Sequence, residues 1–120
     1  MPEFPRYPPV NIVNATGYII NGRVHYATFM CRDDDFGAEP FLPWTARGRG
    51  ACLVTRITAT ARTPGGNIAA KPYVSSGTSY SQFVVIQTSN TPPAFEVIRR
   101  GDGAEDEKPE DYEEPTTQQN

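Results

Sequence analysis

Apolar side chains recur along this chain with a period of two, in short runs broken by proline, glycine and asparagine. No window of eleven or more residues carries the i, i+3, i+4 spacing of an amphipathic helix. Alternation, the mark of a half-buried strand, therefore governs the reading. "VNIVN" (10–14) predicts a short strand. Asn21-Gly22 lies between two runs rich in β-branched and aromatic residues, a strong local hairpin signal, and predicts a turn joining strands at 18–20 and 23–31. "RDDDFGAEPFLP" (32–43) reads as a loop, because its aspartates, glycine and prolines leave little room for a ladder.

Residues 51–62 predict the next strand. Leu53, Ile57 and Ala59 fall on one side, with Val54, Arg56, Thr58 and Thr60 on the other. Val54 apart, this sets a buried face against a solvated one. "TPGGN" (63–67) is a turn by composition, and "IAAKPYV" (68–74) suits an edge strand because Pro72 lacks a ladder donor. "SYSQFVVIQT" (79–88) predicts a central strand, marked by its dense apolar stretch 83–86. "AFEVIRR" (94–100) alternates so that Phe95 and Val97 point inward. Six or seven short strands with frequent turn signals predict an all-β fold, an antiparallel β-sandwich of jelly-roll or Ig-like kind.

At 120 residues the chain has room for one domain with a modest core. Charge divides it. Residues 1–101 hold ten Lys/Arg against six Asp/Glu, a net +4, and residues 102–120 hold eight acids against one lysine, a net −7. Pro2, Pro5, Pro8 and Pro9 make 1–9 an extended arm, 10–100 the sandwich domain, and 101–120 an acidic tail expected to be disordered. Nucleic acid is disfavoured as a partner, since the body is only mildly basic and the tail competes for its arginines.

No signal peptide is visible at "MPEFPRYPPV" (1–10), and no apolar run approaches the ~20 residues of a membrane-spanning helix. The expected location is the cytoplasm, or outside the cell by a leaderless route. Cys31 and Cys52 are too few for a four-sulfur zinc site. They are able to form one disulfide, but a reducing cytosol favours two small buried thiols. The sequon Asn14-Ala15-Thr16 reads as coincidence.

Candidate chemistry is sparse. His25 is the one histidine, Asp33, Asp34 and Asp35 lie beyond its strand, and no nucleophile elbow accompanies them. The aspartates miss the spacing of a calcium loop and read as a solvated acidic loop. No catalytic residue, cofactor or metal is therefore assigned. The candidate binding residues are Trp44, Arg47 and Arg49 in "WTARGRG" (44–50), and Tyr73, Ser76, Thr78 and Tyr80 in "KPYVSSGTSYSQF" (71–83). Guanidinium groups between glycines suit an acidic group or an aromatic face. Tyrosines and hydroxyls suit a recognition surface or a polar turn.

In length and loop composition the chain resembles lectin-like modules and small lipid-binding cytolysins of the aegerolysin type. No residue roles are carried over from either. The expected function is a non-enzymatic binding module for a glycan, a lipid headgroup or a protein. The alternative is a self-assembling subunit, a homo-oligomer built through the N-terminal arm and strand edges.

Overall fold

The computed structural model describes residues 7–28 and 30–100. The expectations for the start of the arm and for the acidic tail lie outside them. The described residues are all-β, with no helix and nine strands where six or seven were expected. The strands are β1 (Asn11–Asn14), β2 (Ile19–Tyr26), β3 (Asp34–Ala38), β4 (Pro43–Thr45), β5 (Val54–Thr63), β6 (Gly66–Ala69), β7 (Tyr73–Thr78), β8 (Gln82–Asn90) and β9 (Pro93–Arg99). They form one sheet of order β4-β1-β8-β9 and another of order β3-β2-β5-β6, with β7 also paired to β5. Pairing is antiparallel except between β1 and β8, which run parallel. That pair departs from the all-antiparallel expectation.

Both sheets bury their apolar faces in one cluster. Ile12, Phe83 and Val97 from the first meet Ile20, Val24 and Ile57 from the second. Phe95 and Val97 point inward, and β8 lies between β1 and β9, as their alternation and apolar density predict. Within the run 63–67, Pro64 and Gly65 make the turn between β5 and β6, and its other residues pair across the two strands. The run 68–74 is divided, because β6 stops at Ala69 and β7 begins after Pro72. Between them Lys71 bridges to β9, accepting from Val97 N and donating to Phe95 O.

Three local expectations are corrected. Asn21-Gly22 is not a turn but the interior of β2, where Gly22 pairs with Phe36 and Ala59. A Cβ at Gly22 would collide with the Thr58 carbonyl oxygen and lie 2.6 Å from Phe36 Cε1. The glycine serves close packing under an aromatic ring. Residues 34–38 are strand β3, not loop, with Phe36 and Ala38 buried between exposed neighbours. Val54 faces the core with Ile57, because β5 carries a bulge. Tyr26 pairs with Val54 and His25 with Arg56, so Thr55 is the extra residue that restores the inward face.

One buried polar residue ties the sheets together. The Asn14 side chain is fully buried, and its Nδ2 hydrogens are shared among the carbonyls of Tyr18, Ala38 and Glu39 at 2.7–3.0 Å. Its Oδ1 accepts from Thr16 N and Oγ1 at 2.9 and 2.7 Å. The sequon is thus a structural node whose asparagine is closed off from solvent.

Candidate functional site

β2 ends where β3 begins, so Arg23, His25 and Tyr26 stand opposite the three aspartates. Each aspartate takes a different partner. Asp33 Oδ2 lies 3.0 Å from His25 Nδ1, Asp34 Oδ2 accepts from Tyr26 Oη at 2.7 Å, and Asp35 Oδ1 accepts from Arg23 Nε at 2.6 Å. The acidic run is solvated at Asp33 and Asp35, as expected, and it is also a row of paired side chains facing β2. Arg23 and Asp35 are 51% and 74% exposed, so their pairing adds little stability, although the hydrogen bond raises the guanidinium pKa.

Tyr26 differs because it is buried. Burial, and then the hydrogen bond and negative charge of Asp34, push its hydroxyl well above the ordinary tyrosine value of 10.0. A folded-state pKa above the unfolded one stabilises the fold fully below pH 10, and this contribution is lost as pH rises past 10. Absorbance titration at alkaline pH is therefore expected to find the Tyr26 hydroxyl protonated until the chain unfolds. In Tyr26→Phe that late, unfolding-linked step disappears. A full set of tyrosines ionising near pH 10 in the folded chain would contradict the burial (ordinary tyrosine value).

Beside this pair lies a cleft of about 280 Å³, lined by Tyr26, Met30, Cys31, Arg32, Asp34, Arg47, Gly48, Arg49 and Cys52. Cys31 and Cys52 are joined in a disulfide, which corrects the expectation of two thiols. Register is the reason. Tyr26 pairs with Val54 and Ala27 N donates to Leu53 O at 2.9 Å, so the segments carrying the cysteines run side by side with Cα atoms 6.0 Å apart. The bridge spans 21 residues, a loop whose closure stabilises the fold by about 3 kcal/mol. It fixes the turn after β2 against the connection before β5.

The arginines of the cleft divide into two kinds. Arg49 is 7% exposed, and its guanidinium donates to backbone carbonyls on three segments. Nε reaches Pro8 O at 2.8 Å, Nη1 reaches Cys52 O at 3.1 Å, and Nη2 reaches Ser79 O at 2.6 Å and Tyr80 O at 3.0 Å. This clip holds the 79–81 connection, the arm and the disulfide loop together. Arg32 and Arg47 are exposed, and neither makes a hydrogen bond or ion pair among the described residues. Two guanidinium groups at one cleft offer planar donors to a carboxylate, phosphate or sulfate.

The other predicted site residues do not gather here. Trp44, on β4, is half-buried with its ring 5.2 Å from that of Phe36. Tyr73, on β7, packs edge-on against Phe83 at 4.8 Å, and Ser76 is exposed on the same strand. Thr78 is buried, and its hydroxyl accepts from Tyr80 N at 3.0 Å. Arg99 stacks 3.7 Å above the Tyr80 ring. The hydroxyl-rich run is therefore a strand followed by a clipped connection. Of the cleft residues the sequence reading selected only Arg47 and Arg49; it did not select Arg32, Met30, Tyr26 or Asp34, and only the adjacency of Arg32 to Cys31 could have pointed to the first of these. Compared with protein-family models, curated proteins and solved structures, the chain matches none.

Proposed function

We propose that the chain is a non-enzymatic binding module, its two sheets packed as a β-sandwich that presents the disulfide-edged cleft to an acidic group. The ligand is a glycan, lipid headgroup or protein bearing a carboxylate, phosphate or sulfate. The supporting observation is the contrast within the cleft. Arg49 is committed to backbone carbonyls, while Arg32 and Arg47 have no partner among the described residues. Tyr26, Met30 and the disulfide supply apolar surface beside those charges.

A screen of acidic and neutral glycans together with anionic and neutral vesicles tests this reading. Saturable binding to acidic members is expected, falling at least tenfold in Arg32→Ala/Arg47→Ala, with thermal stability unchanged because both side chains are exposed. Equal binding by the double variant would overturn it.

A second reading has one observation behind it, the His25–Asp33 contact at 3.0 Å, which resembles the orienting half of a hydrolytic triad. Its surroundings supply no serine. The Thr28 hydroxyl beside it already accepts from Met30 N and contacts Cys31 Sγ. His25→Ala is expected to leave acidic-ligand binding intact. Assembly through strand edges has less support, since Lys71 covers the outer edge of β9 and exposed Asp35 guards that of β3.

A further inference from the structure

The pole opposite the cleft is almost without charge. β1 runs parallel to β8, and β2 lies antiparallel to both β3 and β5. The connections after β1 (15–18), β3 (39–42), β5 (64–65) and β8 (91–92) therefore emerge at one end. Among their residues only Glu39 is charged, and one exposed cation, Arg62, stands on β5 opposite Ile19. The connections at the other end carry Arg32, Asp33, Arg47 and Arg49.

At this neutral pole Phe41 is 69% exposed, Leu42 53% and Ile19 38%. Phe41 is held at φ +62°, a left-handed conformation that a phenyl-bearing residue rarely adopts. The turn around it is fixed from behind. Leu42 N donates to Glu39 O at 3.1 Å, Asn14 N donates to Leu42 O at 3.0 Å, and the buried Asn14 amide holds the carbonyls of Ala38 and Glu39. A buried polar node thus secures a turn whose effect is to hold two large apolar side chains in water. Adjacent exposed apolar residues fixed in this way are a candidate for a docking surface.

We propose that this pole docks on a neutral lipid surface, with Phe41 and Leu42 entering the interface. A protein socket for two side chains would place no demand on the other three connections. A broad lipid interface meets all four together, and a low-dielectric boundary disfavours charge in them; three carry none, and the fourth carries exposed Glu39 at its start, two residues from Phe41. The near absence of cations further selects a zwitterionic surface over an anionic one, because basic residues are what anionic lipids attract.

Flotation of the full chain with phosphatidylcholine vesicles tests the proposal. Trp44, the sole tryptophan, stands two residues from Leu42 and reports insertion through quenching by brominated acyl chains. The expected result is binding that persists at 0.5 M salt (about a 4 Å screening length), tryptophan quenching, and at least a tenfold loss of partitioning in Phe41→Ser/Leu42→Ser. Phe41→Gly removes the ring while suiting the left-handed backbone, and is expected to weaken binding with the fold intact. Arg32→Ala/Arg47→Ala is expected to leave this partitioning unchanged, which separates it from the cleft. The proposal is overturned by absence of binding to phosphatidylcholine, or by binding only to phosphatidylserine vesicles that salt abolishes. Self-association lost in Phe41→Ser/Leu42→Ser, without vesicle binding, would instead assign the pole to a second copy.

Discussion

Replacing Arg49 by methionine is expected to destabilise the chain by about 3–5 kcal/mol, a large part of what holds a domain of this size together. The side chain stands at a junction. Its guanidinium donates to Pro8 in the arm, Cys52 in the disulfide loop, and Ser79 and Tyr80 in the connection to β8. Methionine fills similar volume but donates nothing, so several carbonyls would lose their donor in a place shut off from water. Lysine is expected to rescue only partly. Its ammonium is a point donor on a flexible stem and cannot address three segments as a planar fork does. Denaturant unfolding of Arg49→Met and Arg49→Lys, beside Arg47→Met, measures the difference. Arg47 is exposed, so its variant is expected to unfold at the parent midpoint. Equal midpoints for all three would remove the structural role given to Arg49.

Asn14→Ala is expected to cost about 3 kcal/mol, by leaving buried Thr16 N and the Ala38 carbonyl without their side-chain partner. The loss should be local as well as global. The amide holds the 15–18 turn to the 39–42 turn, so hydrogen exchange at Leu42 is expected to quicken more than at Val85 in the centre of β8. Asn14→Asp separates shape from chemistry. It keeps the acceptor for Thr16 but sets a carboxylate against three carbonyls, and is expected to be at least as damaging as alanine near neutral pH. Stability within a few tenths of a kcal/mol of the parent in either variant would contradict the node.

Much of the fold was legible in alternation alone. β1, β5, β8 and β9 stand where apolar density, apolar period and turn residues put them, because each turns alternate side chains into the core. The failures share a cause. Gly22 signals a turn locally, yet its smallness is used by Phe36, a residue of another strand. β3 hides behind an acidic run whose carboxylates find partners in Arg23, His25 and Tyr26 of β2. The Val54 side was misplaced by a bulge that only the register of β2 and β5 reveals.

The candidate site was less legible for the same reason. Arg47 and Arg49 look equivalent in "ARGRG" (46–50), but two residues of chain carry one to the surface and the other under five carbonyl-bearing residues. Arg32 belongs beside Arg47 only once the disulfide has folded the turn after β2 onto the connection before β5. Charge counts cannot separate a clip from a binding group; burial and hydrogen-bond partners do.

The central claim, that Arg32 and Arg47 are the binding cations while Arg49 belongs to the scaffold, is tested most directly by arginine Nε–H resonances of the ¹⁵N-labelled full chain. A sulfated heparin tetrasaccharide, titrated at low salt, serves as the acidic probe. The account predicts saturable shifts at Arg32 and Arg47, with Arg49 unmoved and slow to exchange with water. Shifts spread evenly over all exposed arginines, or movement at Arg49 with Arg32 and Arg47 unchanged, would contradict it.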